Sequence, residues 1–222
     1  PVSSEVDHIV VGATTLDDGV RWCEQTLGVT PGPGGQHVFM GTHNRLLSLA
    51  GAAFPNVYLE IIAIDPQALP PGRTRWFGLD DPALQASLQQ QGPRLLHVVA
   101  RTAMQDMLRW GLVAAGQDPG LPIAAGRETP DGPLRWQILV RDDGVLPLRG
   151  ALPTLIQWDG RHPAASMPAS GLSLSRVQLR GLPDSVREVL RLRQVDIASA
   201  GSPSVEVELQ TPRGAVILRS AA

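Results

Sequence analysis

The chain has 222 residues, 43% of them hydrophobic and 18% charged, and 19 basic against 21 acidic side chains leave a net charge of -2. That size and balance fit one or two compact domains with a substantial core, and the mixed charges give neither the basic footprint of a nucleic-acid binder nor a polybasic membrane patch. Every basic residue is arginine, which excludes a Schiff base, a phosphate-loop lysine and a serine-lysine dyad.

A single cysteine, Cys23, can form no internal disulfide and no paired-cysteine metal site; on the apolar side of a predicted helix it reads as a small buried residue, and a cytoplasmic protein is expected. No apolar run reaches the roughly 18 residues of a membrane span, and no basic segment with an apolar core opens the chain, so neither a span nor a signal peptide is expected.

In chain order, Asp7-His8-Ile9-Val10-Val11 is a short apolar run of β-branched type with one imidazole in it, which predicts a buried strand. Thr15 with Asp18 reads as a helix start, Leu16, Val20, Cys23 and Leu27 as the apolar stripe, and Gly28 as the stop. A Pro/Gly-rich turn at residues 31–35 precedes strands around His37 to Met40 and Leu46 to Leu49, with the turn between them at Gly41-Thr42-His43-Asn44. The next strand, Val57 to Ile64, carries Glu60 on one face with Tyr58 and Ile62, and a carboxylate there requires a partner. Residues 71–93 read as a connection with a short helical piece near Pro82 to Gln90.

The pattern then repeats. Leu95-Leu96-His97-Val98-Val99-Ala100 matches the opening run, and Met104, Leu108, Leu112 and Ala115 form a second helical stripe closed by Gly116. Residues 117–122 read as loop and 127–132 as a turn; strands are predicted at Leu134 to Val140 and Thr154 to Trp158. In order of elements the last of these corresponds to the Glu60 strand, with Gln157 in the polar slot. After a linker come a strand at Leu172 to Leu179, a helix from Asp184 to Arg193, and strands at Val205 to Leu209 and Ala215 to Leu218. The expected fold is α+β: two paired βαβββ units (1–70 and 94–160) forming a half-open barrel, and a shorter third βαββ unit within 161–222. A monomer or homodimer is expected, with the third unit packed within its own chain.

The order of these elements, with Asp7-His8-Ile9-Val10-Val11, Gly41 to Leu46, Tyr58-Leu59-Glu60 and Arg127 to Gly132, resembles the vicinal oxygen chelate superfamily and, within it, the glyoxalase-like domain proteins. That resemblance implies a divalent metal (zinc, nickel, cobalt, manganese or iron) held by His8, Glu60, His97 and Gln157, two nitrogen and two oxygen donors. It implies a small-molecule enzyme of lyase or isomerase type that polarises vicinal oxygens, with Glu60 the carboxylate available as base, since glutamine can ligate but cannot accept a proton. The alternative is a metal-free binding or sequestration protein of the bleomycin-resistance type, its cup walled by apolar and aromatic side chains. Arg45, Asn44, His43, Arg127 and Trp158 are the candidates for substrate contacts, arginine because it pairs with carboxylates; His37 and His162 read as turn or surface residues.

Overall fold

The computed structural model of the protein describes residues 2–220. The opening run becomes β1 (Glu5–Gly12), buried from Val6 onward, and its echo becomes β5 (Arg94–Arg101). These two strands lie antiparallel at the centre of an eight-stranded sheet. Beyond β1 come β4 (Tyr58–Ile64), parallel to it, then β3 (Thr42–Ser48) and β2 (Gln36–His37). Beyond β5 come β8 (Thr154–Asp159), also parallel, then β7 (Leu134–Val140) and β6 (Leu121–Arg127). The sheet is one half-sheet written twice about the β1/β5 seam, and it curls into a half-barrel.

The central strands are apolar on both faces because both faces are covered. Inside the curl, Val10, Ile62, Leu96 and Val99 pack with Trp76, Phe77, Trp136 and Ile138. On the outer face, Ile9, Val11, Leu59, Ile61 and Val98 meet the helices. The helix α1 (Leu16–Trp22) starts at Thr15, whose side chain accepts a hydrogen bond from the Asp18 amide, and runs into one π turn, Cys23–Leu27. It approaches the sheet closely at Gly19, where a Cβ would overlap the Ile61 side chain. The connecting helix α2 (Pro82–Gln91) starts at Asp81, and α3 (Gln105–Ala114) repeats the position of α1 in the second unit. No helix of the described residues is long and apolar enough to cross a membrane.

Three local expectations change, the first being the strand expected around His37 to Met40, which is only the two residues of β2 followed by a turn at 38–41. Residues 121–127, read partly as loop, form the edge strand β6: its residues are largely exposed and include Pro122, Gly126 and two alanines, so it carries little strand signal and is held by its pairing with β7. Thr42, His43 and Asn44 lie inside β3, and the turn falls just before them.

The third unit comprises β9 (Ser173–Arg180), α4 (Asp184–Leu190), a three-residue strand β10 (Asp196–Ala198), β11 (Ser204–Thr211) and β12 (Gly214–Arg219), in the sheet order β10-β9-β11-β12. In β11, Val205, Val207 and Leu209 are buried and Glu206 and Glu208 face outward. The buried side belongs to the same core cluster as Cys23, Leu27, Leu49 and Leu112 of the paired units. Polar links cross the same boundary: Ser4 Oγ donates to the Leu190 carbonyl at 2.8 Å and the Leu174 amide to the Leu49 carbonyl at 2.9 Å.

Candidate active site

The site begins with an irregularity in β1. Across the seam Val6 pairs with Ala100 and His8 with Val99, so Asp7 is an extra, unpaired residue. Such a bulge breaks alternation locally, and Asp7 and His8 come to share one polar network instead of facing opposite ways. His8 Nδ1 donates to Asp7 Oδ1 at 2.6 Å. The other carboxylate oxygen accepts from Trp158 Nε1 at 2.9 Å and from His162 Nε2 at 2.8 Å. Asp7 is completely buried, and burial alone would raise its pKa; hydrogen bonds from His162 and His8 outweigh that and hold it well below the carboxylate range.

With Nδ1 committed to Asp7, His8 turns Nε2 toward Glu60, whose Oε1 lies 3.5 Å away. The ring stacks on Tyr58, centroids 4.6 Å apart. Glu60 Oε2 accepts from Asn44 Nδ2 at 2.6 Å, and Asn44 Oδ1 accepts from the Gly35 amide at 2.8 Å. Burial would favour a neutral His8, but the hydrogen bonds and charges of Asp7 and Glu60 win and raise its pKa to about 9. Burial likewise opposes ionisation of Glu60, and the His8 contact lowers its pKa nonetheless. His8 is therefore an imidazolium between two carboxylates at neutral pH. His37, hydrogen-bonded to Thr42 Oγ1 at 3.0 Å, is pushed down to about 4 by burial and stays neutral.

His8 and Glu60 line a cavity of about 40 Å³ walled by Tyr58, Trp76, Phe77, Trp136 and Trp158. Leu46, Arg127, Leu134 and Pro163 line both this cavity and a larger cleft of about 780 Å³ above it. A narrow chamber thus opens into a wide one, with Arg127 at the neck.

Of the other expected site residues, His97 lies apart. Its Nδ1 donates to the Gly150 carbonyl at 2.7 Å, its Nε2 accepts from the Thr154 amide at 3.0 Å, and Thr154 Oγ1 is 2.7 Å from that same nitrogen. Burial pushes its pKa to about 4, so it is neutral. Gln157 stands on the opposite side of β8 from Ile156 and Trp158, which line the cavity; its Oε1 accepts from the Gln105 amide at 3.0 Å and so serves the start of α3. Register identifies the true counterpart of Glu60. Val10, two residues beyond His8, pairs with Glu60, and Val99, two beyond His97, pairs with Thr154. The His8/Glu60 pair of one unit is the His97/Thr154 pair of the other.

The four expected metal donors therefore do not form one set, and no group of three or more His, Cys, Asp or Glu side chains among the described residues is arranged to hold a metal ion. Trp158 and Asn44 do reach the site, through Asp7 and Glu60. Arg45 is spent on the Gly32 and Pro31 carbonyls, and His43, alternating with Asn44 on β3, faces away from the cavity with Arg45 toward Asp65. Asp7, His37, Tyr58 and His162 complete the network, beyond the residues expected in it. For Asp7 the dipeptide Asp7-His8 is the one available signal, and strict alternation hides it. A Gln157→Ala substitution should cost about 1 kcal/mol by loss of a helix-start hydrogen bond, read as a lower urea midpoint, with ligand affinity at the cavity unchanged.

Two βαβββ units joined through their first strands, with a cavity inside the curl, form the fold of the vicinal oxygen chelate class. The chain belongs to the glyoxalase-like domain family, whose model matches residues 6–193. Among solved structures it is similar to a hypothetical protein from Staphylococcus aureus, with a TM-score of 0.57 and 18% identity over 97% of this chain and 85% of that one. It also resembles methylmalonyl-CoA epimerase from Mycobacterium tuberculosis at a TM-score of 0.39 and 15% identity, covering 72% of this chain and 91% of that one. A variant of the methylmalonyl-CoA epimerase from Streptomyces coelicolor, in complex with 2-nitronate-propionyl-CoA, gives a TM-score of 0.41 and 16% identity over 71% and 97% of the respective chains. No curated protein matches the sequence.

Proposed function

We propose that this protein is a small-molecule enzyme of lyase or isomerase type that moves a proton on a carbon next to a carbonyl, with Glu60 as base and His8 as acid. The observation that carries the reading is the buried line Asp7, His8, Glu60 at the wall of a cavity: a charged imidazole held between two carboxylates, one nitrogen fixed by Asp7 and the other turned to Glu60, with His8 and Glu60 both lining the chamber. Opposite protonation states on adjacent groups are what acid-base chemistry at neutral pH requires.

The step uses this chain's own residues. Glu60 takes the proton from carbon while His8 hydrogen-bonds the carbonyl oxygen, where negative charge develops. In the free protein Glu60 is held weakly basic by His8. When a substrate oxygen takes the place of Glu60 as acceptor for Nε2–H, the carboxylate loses that partner and its basicity rises. Asp7 keeps the imidazole oriented throughout, as the aspartate of a catalytic triad does. The aromatic walls exclude water from the charged intermediate. No step runs through the metal implied by family resemblance, because of the four donors meant for it only His8 and Glu60 share the cavity.

The test is α-proton exchange in deuterium oxide, followed by NMR over a panel of carbonyl compounds that stabilise the protein. The wild type should exchange one α-proton, and Glu60→Gln should slow this by at least about 100-fold while remaining folded. Ligands that bind yet never exchange would favour the sequestration reading, for which the aromatic walls of the cup also speak.

A further inference from the structure

The neck between the two chambers holds a positive charge with no partner. Arg127 ends β6, is half-buried and lines both chambers, and its side chain makes no hydrogen bond or ion pair among the described residues. Its guanidinium lies against Gly35 so closely that a Cβ there would overlap Nη1. The glycine thus admits the cation to this position without supplying an acceptor. The second guanidinium of the outer cleft, Arg161, donates to Thr129 Oγ1 at 2.7 Å, the Gly132 carbonyl at 2.8 Å and Ser166 Oγ at 2.7 Å, all neutral groups. Two half-buried cations therefore face one cleft, and although Glu128 and Asp131 also line it, neither carboxylate pairs with either arginine among the described residues. A guanidinium in that state favours a planar, bidentate anion.

The rest of the cleft limits what the anion is attached to. Val29, Pro33, Leu46, Leu134, Met167 and Pro168 give it an apolar lining. The inner chamber, at about 40 Å³, accepts only a compact group of a few atoms. Arg127, without a partner, and Arg161, bonded only to neutral groups, suit a single anionic group; a nucleotide-like carrier with several phosphates would need more cations than the two that line the cleft.

We infer that the ligand of this site is a free carboxylic acid with an apolar tail, its carboxylate on Arg127 at the neck, its tail in the outer cleft and a compact carbonyl-bearing group in the inner chamber. The inference rests on the site described under Proposed function, but binding can be read without turnover. Calorimetry with butanoate, hexanoate, octanoate, octan-1-ol and octanoyl-CoA is the experiment. Affinity should rise about three- to fourfold per added methylene along the acid series, octanoate should bind at least tenfold tighter than octan-1-ol, and octanoyl-CoA should bind no better than octanoate. Arg127→Gln should lose the preference for acid over alcohol and Arg127→Lys should keep part of it, both with wild-type melting temperatures because the side chain makes no bond to lose. Equal binding of acid and alcohol, tighter binding of the coenzyme A ester, or an Arg127→Gln protein that binds octanoate like the wild type overturns the inference. A carbonyl-bearing acid that binds through Arg127 yet exchanges no α-proton would leave the inference standing and remove the proposed reaction.

Discussion

Asp7→Ala should lower stability by about 3–5 kcal/mol, the cost of breaking a buried ionic network at one member, and drop the melting temperature by roughly 10 °C. Three donors lose their acceptor at once: His8 Nδ1, Trp158 Nε1 and His162 Nε2. His8 also loses one of the two carboxylates that keep it charged, so its pKa should fall from about 9. The pH dependence follows from which state binds more protons. Between the ordinary histidine value of 6.5 and about 9, folded His8 holds its proton while the unfolded chain releases it, so its stabilisation is complete below about 6.5 and is lost as pH rises through 9. His37 and His97 work in the opposite direction: folded, they stay neutral down to about 4, so acid between 6.5 and 4 favours the unfolded chain. The wild-type urea midpoint should therefore peak near pH 6.5, and Asp7→Ala should flatten the alkaline limb while leaving the acid one. A variant whose midpoint falls equally at every pH would show that Asp7 contributes packing alone.

Removing residues 171–222 should have a larger effect still. The sheet of the third unit and α4 close one side of the core: Leu174, Val177, Leu179, Val186, Val205, Val207 and Leu209 are all essentially buried and share their cluster with Leu27, Leu49 and Leu112. Each fully buried side chain of this kind is worth about 1.5–3 kcal/mol, so uncovering the opposing face removes more than the usual margin of about 5–15 kcal/mol. The expected product is insoluble or aggregated by size-exclusion chromatography, with octanoate binding lost as a consequence. A truncated chain that elutes as a folded monomer would make the third unit an appendage.

The sequence carries the frame of the fold because the frame is repetitive and apolar: the runs around His8 and His97, the helix start at Thr15 and the alternation in β11 each state a burial pattern that the structure uses. β6 is not legible because an exposed edge strand obeys pairing and carries no alternation of its own. The site is legible in half. His8 and Glu60 meet because both sit on buried parallel neighbours whose spacing can be counted. Order of elements matches Gln157 to Glu60, whereas register matches Thr154, and register depends on which residues pair across strands far apart in sequence. His162 lies in a linker whose composition announces only a turn, and its bond to Asp7 spans 155 positions.

The seam between the halves carries a second bulge. Val10 pairs with His97 and Val11 with Leu95, which leaves Leu96 as the extra residue of β5, directly before a histidine, as Asp7 is in β1. The two repeats thus place the same imidazole after the same kink and differ in its escorts: an aspartate and a glutamate in one, a leucine and a threonine in the other. One histidine is consequently a cation and its twin a neutral fixture, with pKa values of about 9 and about 4. A duplicated architecture has divided its labour by exchanging two acids for two uncharged side chains, leaving one half to hold the electrical asymmetry of the molecule and the other to brace it.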